Sequence, residues 1–252
     1  MSIPTTFGLF GTLVRVRPPV DRPRPSIVDR TPGGRTPDGA DDRPRDRDDD
    51  RPRDRDGDCD RRSDWDPAAA VAEELGARGV EVPANWAAAY AERHLDPPPL
   101  AGVPLPAHVA ATLRSRGVTW SGNAVRRAVV AAFDPEVELR EGAVAAVEAA
   151  AERGPVGVLT NCVVPELAGR TLLRAGLRER VDVTVTAAGC GWCKPHEGAF
   201  RAVAKRLDVA PTDLVHVGGT DADAGVTRVG GRFLDTRGTP LPAVARTLAD
   251  GP

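Results

Sequence analysis

The densest run of chemically capable side chains is Cys190-Gly191-Trp192-Cys193-Lys194-Pro195-His196-Glu197. Two thiols at C-x-x-C spacing, His196 three residues on and Cys162 further upstream are ligand types that could hold zinc or an iron–sulfur cluster. The same thiol spacing suits a redox pair. Structural zinc sites usually show two ligand pairs and only one is present, and cysteine is often simply a small buried residue, so these readings stand as alternatives. Lys194 stands out separately: it and Lys205 are the only lysines in the chain, arginine supplying the rest of the 34 basic residues. Two further runs end in groups that bind ions or anions. They are Val158-Leu159-Thr160-Asn161 and Val215-His216-Val217-Gly218-Gly219-Thr220-Asp221-Ala222-Asp223.

The pattern around these runs says what must position them. From Gly154 apolar strands and helices alternate: Val156–Thr160, a helix over Glu166–Ala175, a strand over Val181–Val185, a helix over Glu197–Leu207, a strand over Asp213–Val217, another strand-to-helix step, and a last helix from Pro242. Such alternation predicts a parallel sheet with crossover helices, whose site lies beyond the carboxyl ends of the strands. Before it comes a run read as helical throughout. Asp66-Pro67 opens a helix that stops near Gly79, and others are expected over Ala84–His94, Pro106–Arg116, Ser121–Phe133 and Arg140–Arg153. Thr5–Val16 reads as one buried strand ending in a Gly-Thr turn.

Between these parts, Asp21–Asp64 is almost entirely Asp, Arg, Pro and Gly, with an eight-residue tandem repeat starting at Asp42 and again at Asp50. Fourteen acids and twelve bases give 12 − 14 = −2. Such a stretch cannot bury enough apolar surface to offset its ordering entropy and is expected to be disordered. A repeat expansion in a tolerant loop is the simpler reading; an interaction arm is the other. The whole chain, with 252 residues, net charge −2 and pI about 6.1, shows none of the basic excess of a nucleic-acid binder. No apolar run spans a bilayer, and four cysteines without a secretory pattern point to the cytoplasm. Oligomeric state is left open. His94, His108 and His216 stand alone, and His216, on an apolar strand, is expected to be a packed side chain.

Phe7-Gly8-Leu9-Phe10-Gly11-Thr12-Leu13-Val14, together with the Thr160, Lys194-Pro195 and Gly218–Asp223 runs in that order, resembles the four loops of the haloacid dehalogenase-like hydrolases. The resemblance covers about Pro4–Val16 and Trp65–Leu248. It implies an α/β fold: a Rossmann-like parallel core with a small helical cap inserted after the first strand. The expected division is 1–20 for the first core strand, 21–64 for the disordered insertion, 65–140 for the cap and 141–252 for the rest of the core.

The resemblance also implies roles. Position 8 would carry the nucleophilic aspartate and position 10 either a general acid or, in dehalogenase-like members, an aromatic such as Phe10. Gly11, Thr12, Thr160, Asn161 and Lys194 would hold the substrate's anion. Position 219 would carry a Mg²⁺-binding aspartate, with Asp223 as the second acid. Here positions 8 and 219 are glycines, and covalent catalysis cannot proceed without the carboxylate. Both losses fall in one chemical unit. The expectation is therefore impaired hydrolysis of the phosphatase or dehalogenase type, weak or absent Mg²⁺ binding, and, as alternatives, a non-catalytic binder of a small phosphorylated or carboxylated molecule or a cysteine-based site at Cys162, Cys190 and Cys193.

Overall fold

The computed structural model describes residues 2–17 and 65–251. The Asp/Arg-rich stretch expected to be disordered lies outside them. The described chain runs β1 (Thr5–Phe7), β2 (Val14–Arg17), α1 (Pro67–Gly76), α2 (Trp86–Ala91), α3 (Leu105–Ser115), α4 (Ala124–Ala132), β3 (Glu136–Leu139), α5 (Ala143–Ala151), β4 (Val156–Thr160), α6 (Leu167–Arg174), β5 (Val183–Thr186), α7 (Ala187–Cys190), α8 (Glu197–Leu207), β6 (Val215–Gly218), β7 (Arg232–Asp235) and α9 (Leu241–Asp250). A 3₁₀ segment, Asp223–Val229, follows β6.

Five strands form one parallel sheet in the order β5-β4-β1-β6-β7. β1 is central. The chain builds outward from it to β5 on one side, then returns to add β6 and β7 on the other. The strand order therefore reverses beside β1, and the crevice at that reversal is where such sheets place their ligands. All five residues of β4, Val-Gly-Val-Leu-Thr, are buried, as a strand covered on both faces requires. One face packs on α5, α6 and α9 through Phe7, Val147, Val158, Leu172, Val217 and Val244. The other packs on α8 through Leu159, Val185, Phe200 and Val203.

Helices α1–α4 form a second layer whose buried cluster centres on Val71, Leu75, Val109, Leu113 and Val129 and continues into the core at Val163 and Leu167. Local signals set their ends. Asp66 caps α1, accepting from the amides of Ala68 (2.8 Å) and Ala69 (3.2 Å), with Pro67 in the first turn. Such a cap is worth about 1 kcal/mol. Trp86 Nε1 donates to the Ala68 carbonyl at 2.7 Å and ties α2 to α1. Among the described residues no helix is long and apolar enough to cross a membrane.

Several sequence expectations need correction. Thr5–Val16 is not one strand. After Phe7 the chain turns, and the Leu9 carbonyl accepts from the amides of Thr12 (3.3 Å), Leu13 (2.9 Å) and Val14 (3.1 Å). Gly11, at φ 76°, supplies the left-handed step this turn needs. β2 then leaves to pair antiparallel with β3, a strand the sequence reading placed inside a helical run. Glu-Val-Glu-Leu is too short for its alternation to register alone; its stability comes from β2, where Arg15 stands opposite Glu138. The Arg140 amide extends that ladder to the Leu13 carbonyl at 3.0 Å, so α5 starts at Ala143 rather than Arg140. The helices expected over Ala84–His94 and Ser121–Phe133 are likewise shorter, at Trp86–Ala91 and Ala124–Ala132.

Candidate functional site

The loops after β1, β4 and β6, together with the α7–α8 loop, converge on one cavity of about 60 Å³. Gly8, Phe10, Thr12, Thr160, Asn161, Lys194 and Asp223, all expected from sequence, line it, with Leu9, Cys162, Thr220 and Ala222. Gly11 and Gly219 do not. Gly11 is an exposed turn residue, and Gly219 contributes its backbone amide to Asp223 instead.

Lys194 is 6% exposed. Its Nζ donates to Asp223 Oδ1 at 2.5 Å and to the Leu159 carbonyl at 2.8 Å. A charge this buried needs such partners, because an uncompensated ammonium away from water is costly. Its backbone is held from both sides by one residue. The Lys194 amide donates to Asn161 Oδ1 at 2.6 Å, and Asn161 Nδ2 donates to the Lys194 carbonyl at 2.9 Å. Asn161, expected to touch a ligand, thus spends its amide on placing the lysine.

Asp223 is equally occupied. Oδ1 accepts from Lys194 and from His216 Nε2 at 3.2 Å. Oδ2 accepts from the Gly219 amide (3.1 Å), the Thr220 amide (2.9 Å) and Thr220 Oγ1 (2.6 Å). Burial alone would raise its pKa, but the His216 hydrogen bond and the Lys194 charge together hold the carboxyl well below the usual range.

His216 was expected to be merely packed. It is packed, fully buried with its ring edge-on to Phe200, yet it also links β1 to the site. Burial first, and the Lys194 charge second, push its pKa down to about 4 against the pull of Asp223. The ring is therefore neutral near pH 7. Nε2–H donates to Asp223, and Nδ1 accepts from Thr6 Oγ1 at 2.8 Å. The sequence signal was one polar residue between Val215 and Val217, two positions before Gly218.

This ring gives stability a pH slope of known sign. The unfolded chain titrates His216 near 6.5 and the folded protein near 4. Unfolding therefore takes up a proton between those values, and stability present above about pH 6.5 is lost as pH falls toward 4. At about 1.4 kcal/mol per unit the loss is on the order of 3 kcal/mol. Buried His108, its pKa also lowered by burial, adds to the same slope. Melting temperature should drop from pH 7 to pH 4.5 and drop less in His216→Gln; equal slopes in the two proteins would refute this assignment.

The two glycines are not conformational necessities, since neither adopts a positive φ. A Cβ on Gly8 would meet Thr12 Oγ1 at 2.7 Å and lie 3.5 Å from Asp223 Oδ1. A Cβ on Gly219 would meet Thr236 Oγ1 at 2.9 Å, a buried hydroxyl with no hydrogen-bond partner. Both positions are thus open in backbone and tight in side-chain space, each against a hydroxyl.

The cysteine alternative fares differently. Among the described residues no group of three His, Cys, Asp or Glu side chains is placed to hold a metal ion. Cys162, Cys190 and Cys193 each point a thiol at a backbone carbonyl, of Val164, Trp192 and Ala101 respectively. Burial pushes the thiols of Cys162 and Cys193 up to about 11, away from the reactive thiolate. His196 caps α8, its Nδ1 accepting from the Gly198 amide at 3.0 Å, and stacks on Trp192 at 3.8 Å.

Residues 104–228 match the family model of the haloacid dehalogenase-like hydrolases. A 2-haloacid dehalogenase from Pseudomonas syringae pv. tomato DC3000 shares the fold: TM-score 0.53 and 21% identity, over 95% of this chain and 89% of that one. CbbY from Rhodobacter sphaeroides, solved with phosphate, aligns at TM-score 0.47 and 16% identity over 92% and 85%. A HAD-superfamily hydrolase from Ehrlichia chaffeensis aligns at 0.47 and 10% over 99% and 97%. No curated protein sequence matches significantly.

Proposed function

The chain belongs to the haloacid dehalogenase-like hydrolases, and from that premise we propose that it has kept the family's anion pocket while losing its hydrolytic chemistry. In this reading it binds a small oxyanion or carboxylate without turning it over. Of the described residues, helices α1–α4 within 65–140 are its cap, and 2–17 and 141–251 its core. The observation that carries the reading is Gly8 at the head of a cavity whose one carboxylate, Asp223, already accepts five hydrogen bonds.

A nucleophile needs a lone pair free to attack, and Asp223 has spent its own on Lys194, His216, Gly219 and Thr220. The same saturation bears on the metal. Mg²⁺ takes oxygen ligands in a near-octahedral set, chiefly carboxylates and water. The residues around this cavity do not fit it, since Gly8 and Gly219 offer no side chain and Asp223 no open oxygen. An anion fits better. The Lys194 ammonium supplies charge and Thr160 a hydroxyl at the cavity wall.

Size favours a small ligand. The cavity is several times smaller than the roughly 300–1,000 Å³ of drug-sized sites, and no residue of α1–α4 lines it. Selection then rests on the core loops alone.

The chain's two lysines offer a direct test. In a [¹⁵N]lysine-labelled sample, inorganic phosphate at millimolar concentration should shift the Lys194 ammonium signal, leave that of exposed Lys205 in place, and act equally with Mg²⁺ or EDTA. Acetate in place of phosphate tests the carboxylate arm. If neither anion moves the Lys194 signal, the binding reading fails.

A further inference from the structure

We propose that Leu100–Gly102, in the connection between α2 and α3, is a clasp that fastens the helical layer to the loop carrying Lys194, so that the two layers move as one body. The reading of the cavity as an anion site is not needed for this.

The contacts form a short antiparallel ladder. The Gly102 amide donates to the Gly191 carbonyl at 2.8 Å, the Cys193 amide donates to the Leu100 carbonyl at 2.8 Å, and Ala101 bridges Trp192 between them. Just beyond, the Leu105 amide at the head of α3 donates to the Val163 carbonyl at 2.9 Å, reaching the loop after β4. Two site loops are thus gripped, one by the strand-like segment and the other by the head of the helix that follows it. Lys194 directly follows Cys193, so its backbone is held by the clasp on one side and by Asn161 on the other.

The segment is built to hold this shape. Pro97, Pro98, Pro99 and Pro104 fix φ on either side of it, leaving little chain entropy to lose on docking. Leu100 sits at φ 61°, a left-handed conformation uncommon for a bulky residue, which marks a position that the surroundings dictate. Gly102 is present for contact rather than conformation. A Cβ there would lie 2.1 Å from the Ala187 carbonyl oxygen and 2.5 Å from its carbon, both backbone atoms that cannot rotate away.

Apolar packing reinforces the ladder. Cys162, Val163, Val164, Leu167, Ala187 and Cys193, all from the core, belong to the same buried cluster as the helical layer. Surface pairs add little energy at such exposure but point the same way: Arg126 with Glu166 at 2.7 Å, and Arg174 with Asp134 at 2.6 Å. A layer that swung open would have to expose this cluster and break three backbone hydrogen bonds at once.

Two measurements on the full chain test the clasp. In native-state hydrogen exchange, the amides of Gly102, Cys193 and Leu105 should exchange as slowly as those of β4; exchange at the rate of an exposed loop overturns the proposal. Cys162 is 2% exposed and lies in the shared cluster, so its alkylation by iodoacetamide, read by mass spectrometry of its own peptide, reports parting of the layers. Gly102→Ala should raise that rate at least about tenfold while keeping the far-ultraviolet circular dichroism of the natural protein. A folded Gly102→Ala protein whose Cys162 stays protected also overturns it. Should that variant fail to fold, the exchange rates of the natural chain decide alone.

Discussion

A Gly8→Asp, Gly219→Asp double variant should hydrolyse p-nitrophenyl phosphate in the presence of Mg²⁺, whereas the natural protein should not exceed background. The backbone admits both changes, since neither glycine has a positive φ. The side-chain space asks for small adjustments. At position 8 the new Cβ meets the Thr12 hydroxyl at 2.7 Å, which a change of the threonine rotamer relieves. At position 219 the Cβ meets Thr236 Oγ1, whose unpartnered hydroxyl can then donate to the new carboxylate. The first aspartate restores a nucleophile beside Lys194. The second adds a carboxylate oxygen for the metal and gives the Gly219–Asp223 loop a third acid beside Asp221 and Asp223. Each single variant lacks half of the unit and should stay near background, while the pair should exceed it by at least about a hundredfold, within the reach of covalent and metal-assisted catalysis. Steady-state turnover with and without EDTA measures this. Activity of the natural protein that scales with its concentration and survives repurification would refute the loss of chemistry.

Asp223→Ala should be the most destabilising single substitution in the site. It leaves the Lys194 ammonium buried without its carboxylate and strips acceptors from His216, the Gly219 and Thr220 amides and the Thr220 hydroxyl. Breaking one side of a buried pair costs about 3–5 kcal/mol, because the remaining charge stays desolvated. In a domain of this size that lowers Tm by about 10 °C. The double variant Lys194→Met, Asp223→Asn removes both charges, keeps an acceptor for Thr220, and should lose less than half as much. Differential scanning calorimetry at pH 7.5, well above the His216 window, separates the two. An Asp223→Ala protein that melts within about 3 °C of the natural one would mean that the pair is open to water.

The parallel sheet was legible because its strands are near-continuous apolar runs. Val156–Thr160 matches its predicted span residue for residue, and so does α8 over Glu197–Leu207, bounded by a capping His196 and the left-handed Asp208. The β2–β3 pair was not legible. Four residues of alternation carry too little signal, and their partners lie more than a hundred residues apart. In the site, residue order brought Gly8, Thr160, Lys194 and Asp223 to one cavity, because each lies at a strand's end or in the loop leading into a helix. What each side chain does there was hidden, since hydrogen-bond partners are set in three dimensions. Asn161 turned out to brace Lys194, and His216, which stands alone in sequence, sits beneath Asp223. The metal-binding thiol cluster suggested by spacing is not assembled among the described residues: α7 ends at Cys190, and the thiols of Cys162, Cys190 and Cys193 turn to different carbonyls.

The burial of Lys194 has a practical consequence at the bench. Lys205 is the only other lysine, and it lies exposed in the last turn of α8, a helix that begins three residues after Lys194. At about 1.5 Å of rise per residue the two ends of that helix are about 15 Å apart. Between the two lysines, amine-directed dyes, biotin esters or coupling to an activated sensor surface should therefore attach at Lys205, on a helix end away from the cavity.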